Sequence, residues 1–206
     1  MPIYSLKLFN HLDDRNVLLA NCENFSSLPL ILKYSPTTPE MFLFLSRTFI
    51  EKTIIGEKNG CKHDNFMGWS FIDSENMGCV IITDLDYDKR VAHIVMRKAM
   101  DMFKSESENW DWQTRNCDIN RSQKCRYIYD LIIDYHEPKE KDTILKINKG
   151  LSETKETLHH SIDKMLERGE KIDVLIQKSK DLSYNSKKFL KKSKDMNSWC
   201  NNCCIM

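Results

Sequence analysis

Between Ile144 and Met196, sixteen positions follow one another at alternating steps of three and four residues without a slip: Ile144, Ile147, Leu151, Thr154, Leu158, Ser161, Met165, Arg168, Ile172, Leu175, Ser179, Leu182, Ser186, Phe189, Ser193 and Met196. A period of 3.5 residues draws one stripe along a helix and predicts that the helix supercoils against others to bury it. Ten of the sixteen are apolar, five are Ser or Thr, and one, Arg168, is charged. The residues between them are mostly Lys, Glu, Asp, Asn and His, which marks a solvated opposite face. Leu175, Leu182 and Phe189 cannot be covered by this helix alone and need other helices. The small Ser and Thr residues predict more than two helices, because crowded multi-helix cores favour small side chains. Arg168 either reaches past an ordinary coil into water or meets acceptor groups on partner helices, since a buried guanidinium without them is costly. A single polar seam residue of this kind sets register and helix number. Gly169 beside it weakens a helix by about 1 kcal/mol relative to Ala. With five Ser/Thr layers as well, residues 141–196 are expected to be poorly helical alone and to fold on meeting partners.

Charge is distributed unevenly around a formal net of +1. Residues 141–196 hold 14 Lys+Arg against 9 Asp+Glu, whereas residues 1–140 hold 17 against 21. A chain so close to neutral does not read as a dedicated nucleic-acid binder. The start, MPIYSLKLFN, lacks the basic residues and apolar run of a secretory signal. No apolar run approaches the length of a membrane span. The eight cysteines are therefore expected to face a reducing compartment. Cys22, Cys61, Cys79, Cys117 and Cys125 are scattered and read as small core or surface residues.

Residues 1–136 read as one α+β domain with enough chain for a core. Ile3 to Phe9 and Asn16 to Ala20 predict a β-hairpin. Ser35-Pro-Thr-Thr-Pro39 breaks the chain, with Thr38 as a helix N-cap and Pro39 in the first turn. Phe42, Leu45, Phe49 and Ile50 then predict an amphipathic helix to about Ile55. Gly56 to Asp64 is a polar loop or a short strand. Phe66 to Ile72 and Gly78 to Thr83 form a second hairpin, and the run Val80-Ile-Ile82 suits a central strand covered on both faces. Val91 to Glu106 and Ser122 to Tyr135 have helical spacing, and Pro138 disfavours helix beyond His136. The charged stretch 137–142 is a linker to the heptad segment, taken as 143–197, and 198–206 is a tail.

The tail reads Cys200-Asn-Asn-Cys203-Cys204-Ile205-Met206. Cys203, fourth from the end before a terminal Met, fits the prenylation rule, and Met favours farnesyl. Cys204 in the first aliphatic place departs from the rule. One lipid chain holds a protein only marginally, and a second signal is needed for stable anchoring. Cys200 is a candidate for palmitoylation, and Lys187, Lys188, Lys191, Lys192 and Lys194 are candidates for headgroup contact at about 1 kcal/mol each. Those lysines read equally as a solvated coil face. Cys200-x-x-Cys203 is also the spacing of a redox or zinc half-site, although a tail offers no further ligands.

Taken together, these parts resemble the prenylated longin-domain R-SNARE family, the synaptobrevin homologues that lack a membrane span. The most specific stretch is Leu158 to Leu175, LHHSIDKMLERGEKIDVL, with Leu166-Glu-Arg-Gly-Glu-Lys171 around the arginine. Ile3-Tyr-Ser-Leu6 and Gly78 to Thr83 resemble the N-terminal part. The resemblance implies a longin (profilin-like) domain, with a five-stranded antiparallel sheet between one helix and two, followed by a long coiled-coil SNARE helix. It implies that Arg168 is the central-layer residue, meeting one glutamine from each of three Q-SNARE helices. Ile144, Ile147, Leu151, Leu158, Met165, Ile172, Leu175, Leu182, Phe189 and Met196 become packing layers. It also implies prenylation at Cys203, a lipid-anchored place on cytoplasmic faces of ER, Golgi and vesicle membranes, and a role in vesicle docking and fusion. The family's palmitoylated cysteine directly precedes the prenylated one; here Asn202 stands there, with Cys200 upstream. Phe44, in the apolar helix Phe42 to Ile50, is either core or a regulatory surface on which the SNARE segment folds back and shelters the lipid. Another reading is a lipid-anchored coiled coil that associates with itself. No Gly-rich phosphate loop, recognisable carboxylate pair or metal-ligand spacing points to an enzyme, a metal or a cofactor, and His159-His160 read as solvated.

Overall fold

The computed structural model describes residues 2–107, 111–119, 125–136, 155–166 and 170–191. Its frame is a sheet of six strands: β1 (Ile3–Leu12), β2 (Arg15–Glu23), β3 (Lys58–His63), β4 (Phe66–Ile72), β5 (Met77–Asp84) and β6 (Glu156–His159), in the order β2-β1-β5-β4-β3-β6. The first five pair antiparallel, and β6 runs parallel to β3. Helix α2 (Thr37–Glu51) lies on one face, and α3 (Lys89–Glu106) with α4 (Arg126–Asp134) on the other. That is the arrangement of one helix and two that the family resemblance implies, with a sixth strand added at the edge. A short helix, α1 (Leu30–Lys33), precedes α2.

Alternation along the strands builds two cores. In β5, Met77, Cys79 and Ile81 face α3, whereas Val80 and Ile82 face α2, because successive side chains in a strand point to opposite faces. Central position explains why β5 reads as an unbroken apolar run: Met77 to Thr83 are buried throughout. Helix α2 comes close to the sheet where Gly68 has no side chain; a Cβ built there would stand 2.0 Å from the Phe49 ring. The loop between β4 and β5 is held by Asp73, whose Oδ1 accepts from the Glu75 and Met77 amides, with Asn76 at φ 64°.

Several boundaries differ from the expectation. Helix α2 starts at Thr37, after Pro36, and ends at Glu51. Thr38 therefore sits inside the helix, and its hydroxyl donates to the Leu32 carbonyl instead of capping. For Gly56 to Asp64, the strand is the one of the two readings that the structure takes: β3, paired on both sides. Cys22, Cys61 and Cys79 are buried free thiols, Cys125 is half-buried and Cys117 exposed. Burial raises the pKa of both Cys22 and Cys61 to about 12, so neither is a reactive thiolate.

The heptad segment is expected to be poorly helical without partners. Its described part is not one long helix: after β6 come α5 (Ile162–Met165), α6 (Ile172–Lys178) and a helical stretch over 184–191. The physical reason is that a 3.5-residue stripe needs partner helices. In a single chain the apolar side chains are buried instead by bending the backbone over the surface of the N-terminal domain.

Candidate functional site: the outer face of α2 and the segment that covers it

Phe44 belongs to the outward face of α2, and it is buried by the chain's own C-terminal segment. Ile162, Ile172, Ile176 and Leu190 line a cavity of about 310 Å³ beside its ring, with Lys62, His63, Asp64 and His160 among the polar residues at the wall. Phe42, Phe44 and Phe49 form one cluster with Ile162, Met165, Leu166, Ile172, Ile176, Leu182 and Leu190. Phe44 retains 5% of its exposure.

Polar contacts fasten the same face. The Glu40 carboxylate accepts from the Ser183 amide at 2.7 Å and from the Ser186 hydroxyl at 2.6 Å, at the start of the helical stretch 184–191. An anion at a helix start satisfies amides that have no partner within the helix. Arg47 joins three parts of the chain: its Nε lies 2.8 Å from Asp181, its Nη2 2.5 Å from Asp118, and its Nη1 donates to the Asn16 carbonyl. Lys52 pairs with Glu170 at 2.8 Å. At the other end Lys155 meets Glu57 at 2.7 Å and Lys89 meets Glu156 at 3.2 Å. The last two pairs involve exposed lysines and contribute little each.

The seam residues expected from sequence are treated unequally. Met165, Ile172 and Leu182 are buried, at 7%, 3% and 5% exposure, while Leu175 and Phe189 are half-buried. Leu158 is 52% exposed, in β6. Ile144, Ile147, Leu151, Arg168, Met196, Cys200 and Cys203 lie outside the described residues. His159 is half-buried within β6, and His160 is exposed beside the cavity.

Four buried residues were missed: Ile162, Leu166, Ile176 and Leu190. Each stands one position after a seam residue, so on a helix they form a second apolar stripe beside the first. That offset was the available signal, because the solvated flank of a simple coil has no use for such a row.

Among the described residues no helix is long and apolar enough to cross a membrane, and no group of three or more His, Cys, Asp or Glu side chains could hold a metal. The arrangement packs a peptide segment of the chain against α2. Residues 143–206 match the synaptobrevin family model. Over 206 residues, all of both chains, this protein is 30% identical to the synaptobrevin homolog YKT6 of Yarrowia lipolytica. It is 34% identical to that of Debaryomyces hansenii over 161 residues, 78% of this chain and 80% of the relative. It is 31% identical to the VAMP-like protein YKT62 of Arabidopsis thaliana over 185 residues, 89% of each chain. A C-terminal segment that matches the synaptobrevin model, joined to a longin-type sheet and matched along the whole chain by a relative of 30% identity, places the chain in the YKT6-type synaptobrevin homologues, SNARE proteins of vesicle traffic and not enzymes.

Proposed function

We propose that residues 143–197 zipper with three Q-SNARE helices into a four-helix bundle that drives vesicle docking and fusion in ER, Golgi and endosomal transport. Arg168 is the central layer, donating to one glutamine from each partner. Ile144 to Met165 pack on one side of it, and Ile172 to Met196 on the other. The observation that carries this reading is the double use of one apolar set: Met165, Ile172 and Leu182 keep the heptad spacing of a bundle yet are buried against the N-terminal domain. The same side chains cannot serve both surfaces at once. The folded-back arrangement is the resting form, and assembly requires its release.

Prenylation of Cys203, with acylation of Cys200 as the second signal, attaches the tail to the cytoplasmic face of the membrane. The apolar cavity beside Phe44 offers the lipid a place in the resting form. Zippering toward the tail then draws two membranes together, and the folding energy of the bundle does the work without a cofactor.

Mixing the unlipidated chain with three glutamine-type SNARE helices tests the reading. The far-UV circular dichroism of the mixture is expected to show more helix than the sum of its parts. An unchanged sum, with no complex on size-exclusion chromatography, overturns it.

A further inference from the structure

Strand β6 brings one carboxylate to a surface crowded with cations. In the β3–β6 pairing Glu156 stands opposite Lys58 and Leu158 opposite Gly60. Alternate residues share a face, so these four look toward α3. Along α3, Lys89, His93 and Arg97 recur every fourth residue and form one row on that helix. The Glu156 carboxylate lies 3.2 Å from the Lys89 ammonium. Lys58 is 7% exposed, and desolvation, with Arg97 next in weight, holds its pKa below the ordinary lysine value. Glu156 is thus the anion that the strand pairing sets beside Lys89 and Lys58, with Arg97 on the same row of α3, and it belongs to the segment that must leave.

The same strand covers an aromatic ring. A Cβ built on Gly60 would stand 2.7 Å from the Trp69 ring and 3.0 Å from Leu158 Cδ1, so leucine and indole meet over this glycine. Trp69 is 5% exposed and has the His93 ring edge-on at 5.6 Å. Take β6 away, and Lys89 and Lys58 lose the Glu156 carboxylate while Trp69 loses part of its cover.

We propose that, once β6 is released, Lys58, Lys89 and Arg97 beside Trp69 bind the phosphorylated headgroup of an anionic membrane lipid, and that Glu156 fills this site in the resting form as the chain's own substitute anion. The inference rests on the release of the C-terminal segment argued above. Phosphate oxygens accept charge-assisted hydrogen bonds from Lys and Arg. A tryptophan among lysines and arginines is the composition of a contact with the membrane interface, which a soluble anion has no need of. Because a single lipid chain anchors marginally, a headgroup site on the N-terminal domain supplies a second attachment. Headgroup and Glu156 exclude each other, so the lipid favours the released form, and release favours the lipid.

The test uses the full unlipidated chain and co-sedimentation with phosphatidylcholine vesicles with or without a polyphosphorylated inositol lipid. Glu156→Gln keeps the shape and removes the charge; it is expected to raise the bound fraction about fivefold on phosphorylated vesicles and not on plain ones. Lys89→Glu combined with Arg97→Glu is expected to return binding to the plain-vesicle level, with far-UV circular dichroism and the urea midpoint reporting that the fold is kept. Hydrogen exchange at residues 156–159 reads release separately from binding. Faster exchange in Glu156→Gln without a gain on phosphorylated vesicles overturns the headgroup site while leaving segment release standing. Binding that survives the double charge reversal assigns it to the lysines of the tail and overturns the inference. Soluble inositol polyphosphate bound as tightly as the phosphorylated vesicles, with no gain from the membrane, overturns the lipid assignment.

Discussion

At the scale of single residues, His93 has the most to lose in acid. It is 8% exposed, its Nε2 has no hydrogen-bond partner among the described residues, and its ring meets Trp69. Burial, the largest cause, lowers its pKa from 6.5 to about 4; Lys58 on β3 and Lys89 on α3 act in the same direction, and Glu156 on β6 opposes them. The imidazole is thus neutral in the fold and protonates readily once unfolded. Between pH 6.5 and about 4 the unfolded chain binds more protons, so stability falls as pH falls through that window and levels off below it. The displacement is worth up to about 3 kcal/mol. Urea unfolding at pH 7.5 and 4.5 is expected to show a smaller acid loss for His93→Phe than for the parent; parallel losses would show that His93 titrates normally. Gly68 makes a steric prediction of the same scale. With the Phe49 ring 2.0 Å from where a Cβ would stand, Gly68→Ala is expected to cost about 1–3 kcal/mol in the same measurement.

At the scale of elements, the segment's hold on α2 depends on a cap supplied from outside. Glu40 accepts from both Ser183 and Ser186, and Ser186 is 1% exposed. Glu40→Ala takes the acceptor from the Ser183 amide and leaves the Ser186 hydroxyl only its 3.1 Å contact with the Ser183 hydroxyl, a loss of about 1–3 kcal/mol. Amides in 184–191 are expected to exchange faster by one to two orders of magnitude, while those of β1 and β5 are unchanged; equal protection would mean that the cap is dispensable. Elements also divide what was legible from what was not. The hairpins, α2 and α3 could be read because their own apolar spacing determines them. Glu156–His159 could not be read as a strand, since its residues fit the heptad and only the open edge of β3 makes them extended. Phe44 was readable as an apolar helix position, but its cover was not, because Ile162, Leu166, Ile176 and Leu190 lie one position off the heptad seam. Gly56 to Asp64 looked polar because β3 mixes Lys58, Asn59 and Lys62 with Gly60 and Cys61, and its pairing is set by neighbours on both sides.

For the molecule as a whole, the proposed assembly and the observed closure share Met165, Ile172 and Leu182, so the strength of one sets the apparent strength of the other. A chain whose competent form is a fraction f of the total binds with its intrinsic Kd divided by f. Were closure worth about 2.7 kcal/mol, f would be about 1% and partner helices would bind about a hundredfold more weakly than the open chain allows. Phe44→Glu places an unpaired carboxylate against Ile162, Ile172, Ile176 and Leu190, where its desolvation opposes closure. Phe44 is not expected to touch the partner helices, so the assembled bundle should melt at the same temperature with either residue. The apparent affinity for the three helices, followed by fluorescence anisotropy, should tighten by at least about tenfold, toward the limit set by 1/f. An affinity that stays the same while 170–191 keep their exchange protection would mean that Phe44 does not hold the segment. The same affinity with that protection lost would mean that closure never competed with assembly. The two results separate the packing of the resting form from its claim to regulate fusion.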